Sequence, residues 1–480
     1  MRAPLRGAFA GLVAAATLAS SSGATAAGVI TFVNVVPGDA AGTTCPGDAS
    51  GCFNFAGEPQ IRADGDGGFF ASSENGVGAG TDAWRSTDGG LHYTSLPSPN
   101  QLPLPSGVTV GAGGGDTDLA IAPVPGAGGR RNVYVASLSL ANVTVSTSQD
   151  GGATWRLDPV AATIAGDDRE WIAADGSSNV CISYHDVATF NIDVSCSADA
   201  GATFTQLGEA FDAGHLFLAQ DNETGNLAID ASSHVIYQTF SGIANAGEVQ
   251  CSQAGTCGNH VVYVATSTDG GRTFTDHVVL ANPDATVSYG HQFANVSVDR
   301  AGNVYSVFSD DRHVFYSFST DRGATWSPAV QVSQAPSDTA IFPWSVAGDA
   351  GKLDIVWYGT SFFDGVTRPD GYPGSANWFV FMAQSLDALG ARSFTQVQAS
   401  PAVHQGGVCE SGVSCTGNRD LLDDFGVAAS PTTGLASIAY TSDQFNSAEP
   451  NCTPAANDTS SCEHTAIATQ TAGPGIFGAS

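Results

Sequence analysis

Ser148-Gln149-Asp150-Gly151-Gly152-Ala153-Thr154-Trp155 is the stretch that decides the fold, because the chain repeats it. Further copies run Ser86 to Tyr93, Ser197 to Phe204, Ser267 to Phe274 and Ser319 to Trp326, and a stretched sixth runs Ser385-Leu386-Asp387 to Ser393-Phe394. The steps between the aspartates are 62, 49, 70, 52 and 66 residues. A blade of four short strands with its loops fits that spacing. The aspartate can accept backbone N–H groups across a turn, glycine supplies positive φ, and the aromatic opens the next strand facing inward. The boxes are therefore structural, and no chemistry is placed on them.

Outward from each box lie two more strand signals. Inner strands are expected at Pro59 to Ala63, Asp118 to Ala122, Glu170 to Ala174, Asn226 to Asp230, Phe293 to Asp299, Trp344 to Ala347 and Phe425 to Ala429. Second strands are expected after Gly/Asn turns, as at Val180 to Tyr184 and Leu353 to Tyr358. This predicts an all-β, single β-propeller of seven four-stranded blades, with six as the alternative. Val29 to Val36 is a lone strand before the first unit. It is expected to complete the seventh blade beside His464 to Ala468 and so remove an open sheet edge.

Composition bounds the function. The 480 residues carry 16 Lys+Arg and 46 Asp+Glu, a formal charge of −30, which argues against nucleic-acid binding and against docking on an anionic membrane. A content of 42% hydrophobic and 13% charged residues with 58 glycines suits a turn-rich folded chain. Residues 1–27 read as a secretory signal peptide: arginines at 2 and 6, a short apolar run, then small residues to Ala27. The expected mature chain, 28–480, is one domain, secreted or periplasmic, without membrane insertion, and monomeric. Ten cysteines fall into close pairs, Cys45/Cys52, Cys181/Cys196, Cys251/Cys257, Cys409/Cys415 and Cys452/Cys462, which reads as five disulfides.

The boxes resemble the Asp-box (BNR repeat) signature of sialidase-like β-propellers, and the copies cover nearly the whole mature chain. The resemblance implies the propeller fold and a carbohydrate or glycoconjugate partner. Function is less specified, because that box occurs in sialidases, other glycoside hydrolases, sorting receptors and noncatalytic propellers. A sialidase would carry three arginines clamping the substrate carboxylate, the first in an Arg-Ile-Pro motif on the first inner strand. The matching stretch is Gly57-Glu58-Pro59, with no arginine, and Arg62 lies too far along to replace it. The resemblance thus implies a glycoside hydrolase; the alternative is a noncatalytic propeller binding glycan or protein on its loop face.

Ligands of propellers bind at the channel mouth opposite the boxes. Loops entering the inner strands supply Glu58, Asp116, Asp118, Asp167, Asp168, Arg169, Glu170, Glu223, His291, Arg419, Asp423 and Asp424; loops leaving the second strands supply Glu74, Tyr184, His185, Asp310, Asp311 and Arg312. Glycoside hydrolysis needs two carboxyls, one protonated and one ionised. Asp168, Glu170, Asp423 and Asp424 are the local candidates, with His185 as helper. Arg169, Arg312 and Arg419, each beside an aspartate, are candidate substrate clamps together with Tyr184 and His291. Calcium would find oxygen ligands at Asp310 and Asp311. The insertion Gly359 to Asn377 is long for a propeller loop and is a candidate wall of the site.

Overall fold

The computed structural model describes residues 28–38, 44–46, 54–103, 109–139, 142–162, 166–290, 293–423, 425–444 and 462–478. The expected leader, Cys52, His291, Asp424 and Cys452 lie outside the described residues.

The chain forms a seven-bladed β-propeller. Blade 1 consists of Gly57–Ala63, Phe69–Glu74, Thr81–Ser86 and Thr94–Ser95. Blade 2 begins with inner strand Thr117–Ile121, blade 3 with Asp167–Asp175, blade 4 with Asn222–Ile229, blade 5 with Asn295–Val298, blade 6 with Thr339–Ala347 and blade 7 with Gly426–Ala429. Within each blade, the strand pairs recorded are antiparallel neighbours, as in Asp167–Asp175 against Asn179–Asp186. Each inner strand contacts the next one around the ring, and Gly426–Ala429 contacts Gly57–Ala63 to close it. The blades pack through apolar layers such as Tyr134, Val145, Ile172 and Ile182 between blades 2 and 3.

The N-terminal strand closes the circle as expected. Thr31–Pro37 pairs antiparallel with His464–Ala472, in the register Val35 opposite Ile467, and the last blade gains Thr44–Pro46 at its outer edge. Val35 is 4% exposed and Ile467 is fully buried. The box geometry explains its repetition. Asp150 Oδ1 accepts the Thr154 N–H (2.9 Å) and the Ser148 hydroxyl (2.8 Å), Asp150 Oδ2 accepts the Thr154 hydroxyl (2.6 Å), and Ser148 Oγ accepts the Gly152 N–H. The same set recurs around Asp199, Asp269 and Asp321. In the first copy His92 replaces the threonine and its Nδ1 sits 2.5 Å from Asp88. These bonds hold the Asp150, Asp199, Asp269 and Asp321 carboxylates down at about 2.

Three disulfides form among the described residues: Cys181–Cys196, which joins directly opposed strand residues, Cys251–Cys257 and Cys409–Cys415. Cys462 is also disulfide-bonded. No helix among the described residues is long and apolar enough to cross a membrane.

Two outcomes test this reading of the fold. Ala200 and Arg322 hold left-handed backbone (φ 61° and 63°) at the box position where Gly89, Gly151 and Gly270 stand. Ala200→Gly or Arg322→Gly should therefore raise unfolding stability by about 0.5–1 kcal/mol, read by urea denaturation, since glycine pays no Cβ penalty there. Ile467→Ala should lower it by about 2–5 kcal/mol, because it empties the apolar layer beneath the closure.

Candidate functional site at the channel mouth

The site grows out of one backbone device. Where the inner strands begin, several blades carry a register shift with a non-glycine residue at positive φ: Glu58 (45°) in blade 1, Arg169 (53°) in blade 3, Phe342 (52°) in blade 6. Phe293 (38°) and Leu422 (55°) hold the same conformation just ahead of the inner strands of blades 5 and 7. Such conformations cost on the order of 1–3 kcal/mol each and persist only where the surroundings enforce them. At Glu58 and Arg169 they accompany a meeting of charged groups with Asp116, Arg419 and Asp423.

Two arginines meet there. The Arg169 guanidinium lies 3.7 Å from Glu58 and 3.6 Å from Asp116, over the Phe293 ring at 4.2 Å and Trp171 at 5.3 Å. Arg169 is 5% exposed and Glu58 1%. Arg419 binds Asp423 at 2.8 Å and stands 3.9 Å from Glu58, whose Oε1 also accepts the Asp423 N–H at 3.1 Å. Carboxylate oxygens of Glu58, Glu74 and Asp116 lie within 4.8 Å of one another. Glu170 is 1% exposed, and neither of its carboxyl oxygens has a hydrogen-bond partner among the described residues.

So many carboxyls cannot all ionise beside two cations. Burial first, then the Asp116 charge, raises Glu58 and Glu170 well above the usual carboxylate range and Glu74 to about 8. Burial also pushes Glu223 up to about 8 and raises Asp168. Asp116 goes the other way: burial opposes it, but Arg169, a bond from Glu58 and Arg419 hold its carboxyl below its usual value. The mouth therefore holds neutral acids around an ionised aspartate.

Below it, Arg62 does not join this group. It bonds Asp118 at 2.7 Å and lies 6.0 Å from the Trp344 ring. It lines a channel cavity of about 340 Å³ that reaches Phe477 near the C-terminus.

Of the sequence candidates, Asp168, Arg169, Glu170, Arg419 and Asp423 converge here, and Asp424 and His291 lie outside the described residues. Tyr184 sits instead in the apolar layer between blades 2 and 3, fully buried, its hydroxyl 3.3 Å from Ser195. His185 opposes Asp168 across the strand pair and packs its ring edge-on to Phe190; burial lowers it to about 4, so it is neutral. Arg312 is exposed and stacks 3.6 Å over Phe363 of the 359–377 insertion. Asp310 accepts the N–H groups of Arg312 and His313, and Asp311 pairs with Arg368 at 2.8 Å. Among the described residues neither belongs to a convergent group of three metal-ligating side chains. Glu58, Glu74, Asp116 and Glu223 were legible as face residues, but nothing local marked them as a group.

No protein-family model matches the chain, and no curated protein matches it by sequence. Solved structures resemble the chain at low identity. A Hadza microbial sialidase matches at 15% identity over 63% of each chain (TM-score 0.41). An α-L-arabinofuranosidase from Fusarium graminearum matches at 14% identity over 68% of this chain and 93% of that one (TM-score 0.46). A xyloglucanase of family GH74 from Xanthomonas campestris matches at 14% identity over 82% and 53% (TM-score 0.48).

The raised carboxyls make a stability prediction. A group whose folded pKa lies above its unfolded value stabilises fully below the unfolded value and loses that contribution as pH rises through the folded one. For Glu74 and Glu223, with ordinary values of 4.5 and folded values of about 8, stability should therefore fall between those limits. Denaturant unfolding across that range should show the fall, and Glu223→Gln should make it shallower.

Proposed function

We propose that the chain is a secreted glycoside hydrolase of the retaining type, acting on neutral glycans at the channel mouth. The observation that carries this reading is the pairing of Glu74, held protonated to about pH 8, with Asp116, held ionised, their oxygens within 4.8 Å. Short separation of two carboxyls with opposed pKa shifts suits an acid and a nucleophile rather than a pair spaced for an intervening water.

In this reading Asp116 attacks the anomeric carbon while Glu74 gives its proton to the departing glycosidic oxygen. Glu74 then takes a proton from water as the water oxygen attacks the anomeric carbon, and the Asp116 carboxylate leaves. Arg169 and Arg419 hold Asp116 ionised. Glu58 and Glu170 stand beside them as neutral acids, and Asp423 helps to raise Glu74. Arg169 and Arg419 already face the protein's own acidic groups, which disfavours them as a clamp for an anionic sugar. The leader-like N-terminus and the disulfides support secretion.

The test is a chromogenic glycoside panel, sialosides included, with and without chelator. Release is expected from a neutral glycoside, with kcat/KM falling above about pH 8 as Glu74 loses its proton. Glu74→Gln should cost on the order of 10²–10⁴-fold in kcat on substrates with poor leaving groups. Asp116→Asn should cost at least as much. Loss on chelation would place a divalent cation in the site or in its scaffold, sialoside release would overturn the neutral-glycan assignment, and silence across the panel would favour a noncatalytic binding propeller.

A further inference from the structure

A second cluster sits far from that chemistry in kind, on the outer seam between blades 3 and 4. The segment 210–214 leaves the outer strand Thr205–Glu209 of blade 3 and meets the start of the outer strand Thr275–Ala281 of blade 4. There, His215 Nδ1 stands 2.9 Å from Asp212 Oδ1 and 3.3 Å from Asp276 Oδ2. Ligand atoms of all three lie within 4.8 Å of one another.

We propose that Asp212, His215 and Asp276 form a divalent-cation site suited to Zn²⁺, clasping blade 4 to the loop that enters it. Tetrahedral zinc holds nitrogen and oxygen donors at about 2.0–2.2 Å, which sets neighbouring donors about 3.3–3.6 Å apart; the His215–Asp276 separation already matches, and the His215–Asp212 pair needs to open by only a few tenths of an ångström. The carboxylates are aimed by the backbone. Asp276 Oδ2 accepts the Asp212 N–H (2.9 Å), Asp212 Oδ2 accepts the Asp276 N–H (3.1 Å), and Asp212 Oδ1 accepts the Gly214 N–H (2.7 Å). Such outer bonds orient ligands in built metal sites.

An independent observation points to a missing partner. Asp276 is 8% exposed, yet its Oδ1 has no hydrogen-bond partner among the described residues. A buried carboxylate oxygen left unpartnered is costly, and a cation satisfies it. His215 and Asp212 keep 30% and 24% of their side chains exposed, which gives an ion its way in. A surface depression of about 490 Å³ runs along Asp212 and Phe274. The proposal is independent of the reading of the channel mouth.

The test uses the full chain, stripped with chelator and titrated with Zn²⁺ by calorimetry and thermal melting, beside His215→Gln and Asp276→Asn. The wild type should take up about one equivalent and melt higher with Zn²⁺. Each variant should bind on the order of 100-fold more weakly or worse, with His215→Gln melting like the stripped wild type. Cobalt(II) in place of zinc should give the visible absorption of a four-coordinate site, lost in His215→Gln. Should Asp276→Asn fail to fold, His215→Gln, with its partly exposed side chain, decides alone. A wild type without saturable Zn²⁺ uptake, or a His215→Gln variant that binds as the wild type does, overturns the proposal.

Discussion

Ring closure is the constraint on which everything else depends. A blade of four strands buries its faces only against neighbours, so an open ring would leave apolar faces and a strand edge to solvent. The chain resolves this by laying Thr31–Pro37 beside His464–Ala472, tying its two ends into one sheet. The apolar layer under that pairing, with Val35, Ile61, Trp84 and Ile467, belongs to blades 7 and 1 together. The closure therefore fixes the distance between the inner strands of those blades. It also sets Glu58 of blade 1 against Asp423 and Arg419 at the entry to blade 7.

Convergence at the axis follows from that geometry. Seven inner strands begin around one mouth, so residues distant in sequence meet there. The cost is electrostatic: many carboxyls and few cations share a low-dielectric space, and the balance is struck partly by protonation and partly by Arg169 and Arg419. The strained backbone at Glu58, Arg169, Phe293, Phe342 and Leu422 belongs to the same arrangement. A scaffold of regular strands can hold those conformations because the closed ring leaves them nowhere to relax. Strain and perturbed titration at the same spot mark the mouth as the chemically distinctive part of the molecule.

The fold was legible in the sequence because its determinants are local and periodic. A box of eight residues carries its own hydrogen-bond set, and its repetition announces blades before any contact is known. The lone N-terminal strand and its place beside the last blade followed from counting strands. The site was legible only where its members are neighbours in sequence: Asp168, Arg169 and Glu170 are consecutive. Glu58, Glu74 and Asp116 come together through strand pairing within blade 1 and ring packing against blade 2, which no local pattern encodes. Tyr184 was misplaced for a different reason. It lies near the end of its strand, but alternation turns its ring into the layer between blades, a matter of strand parity rather than of position along the strand.

The two arginines also bear on what kind of ligand the mouth can accept. An arginine set beside two carboxyls and stacked on aromatic rings has one of its faces committed before any ligand arrives. Drawing Arg169 onto an anion would leave Asp116 short of its counter-charge in a buried setting, and the chain as a whole already repels anions at −30. A neutral ligand imposes no such exchange. It can take hydrogen bonds from protonated carboxyls, which are donors, and give them to ionised ones, which are acceptors. A mouth holding both kinds side by side is matched to hydroxyl groups, each of which donates and accepts. The same mixture of neutral and charged acids that the ring enforces is thus what a polyhydroxylated ligand requires.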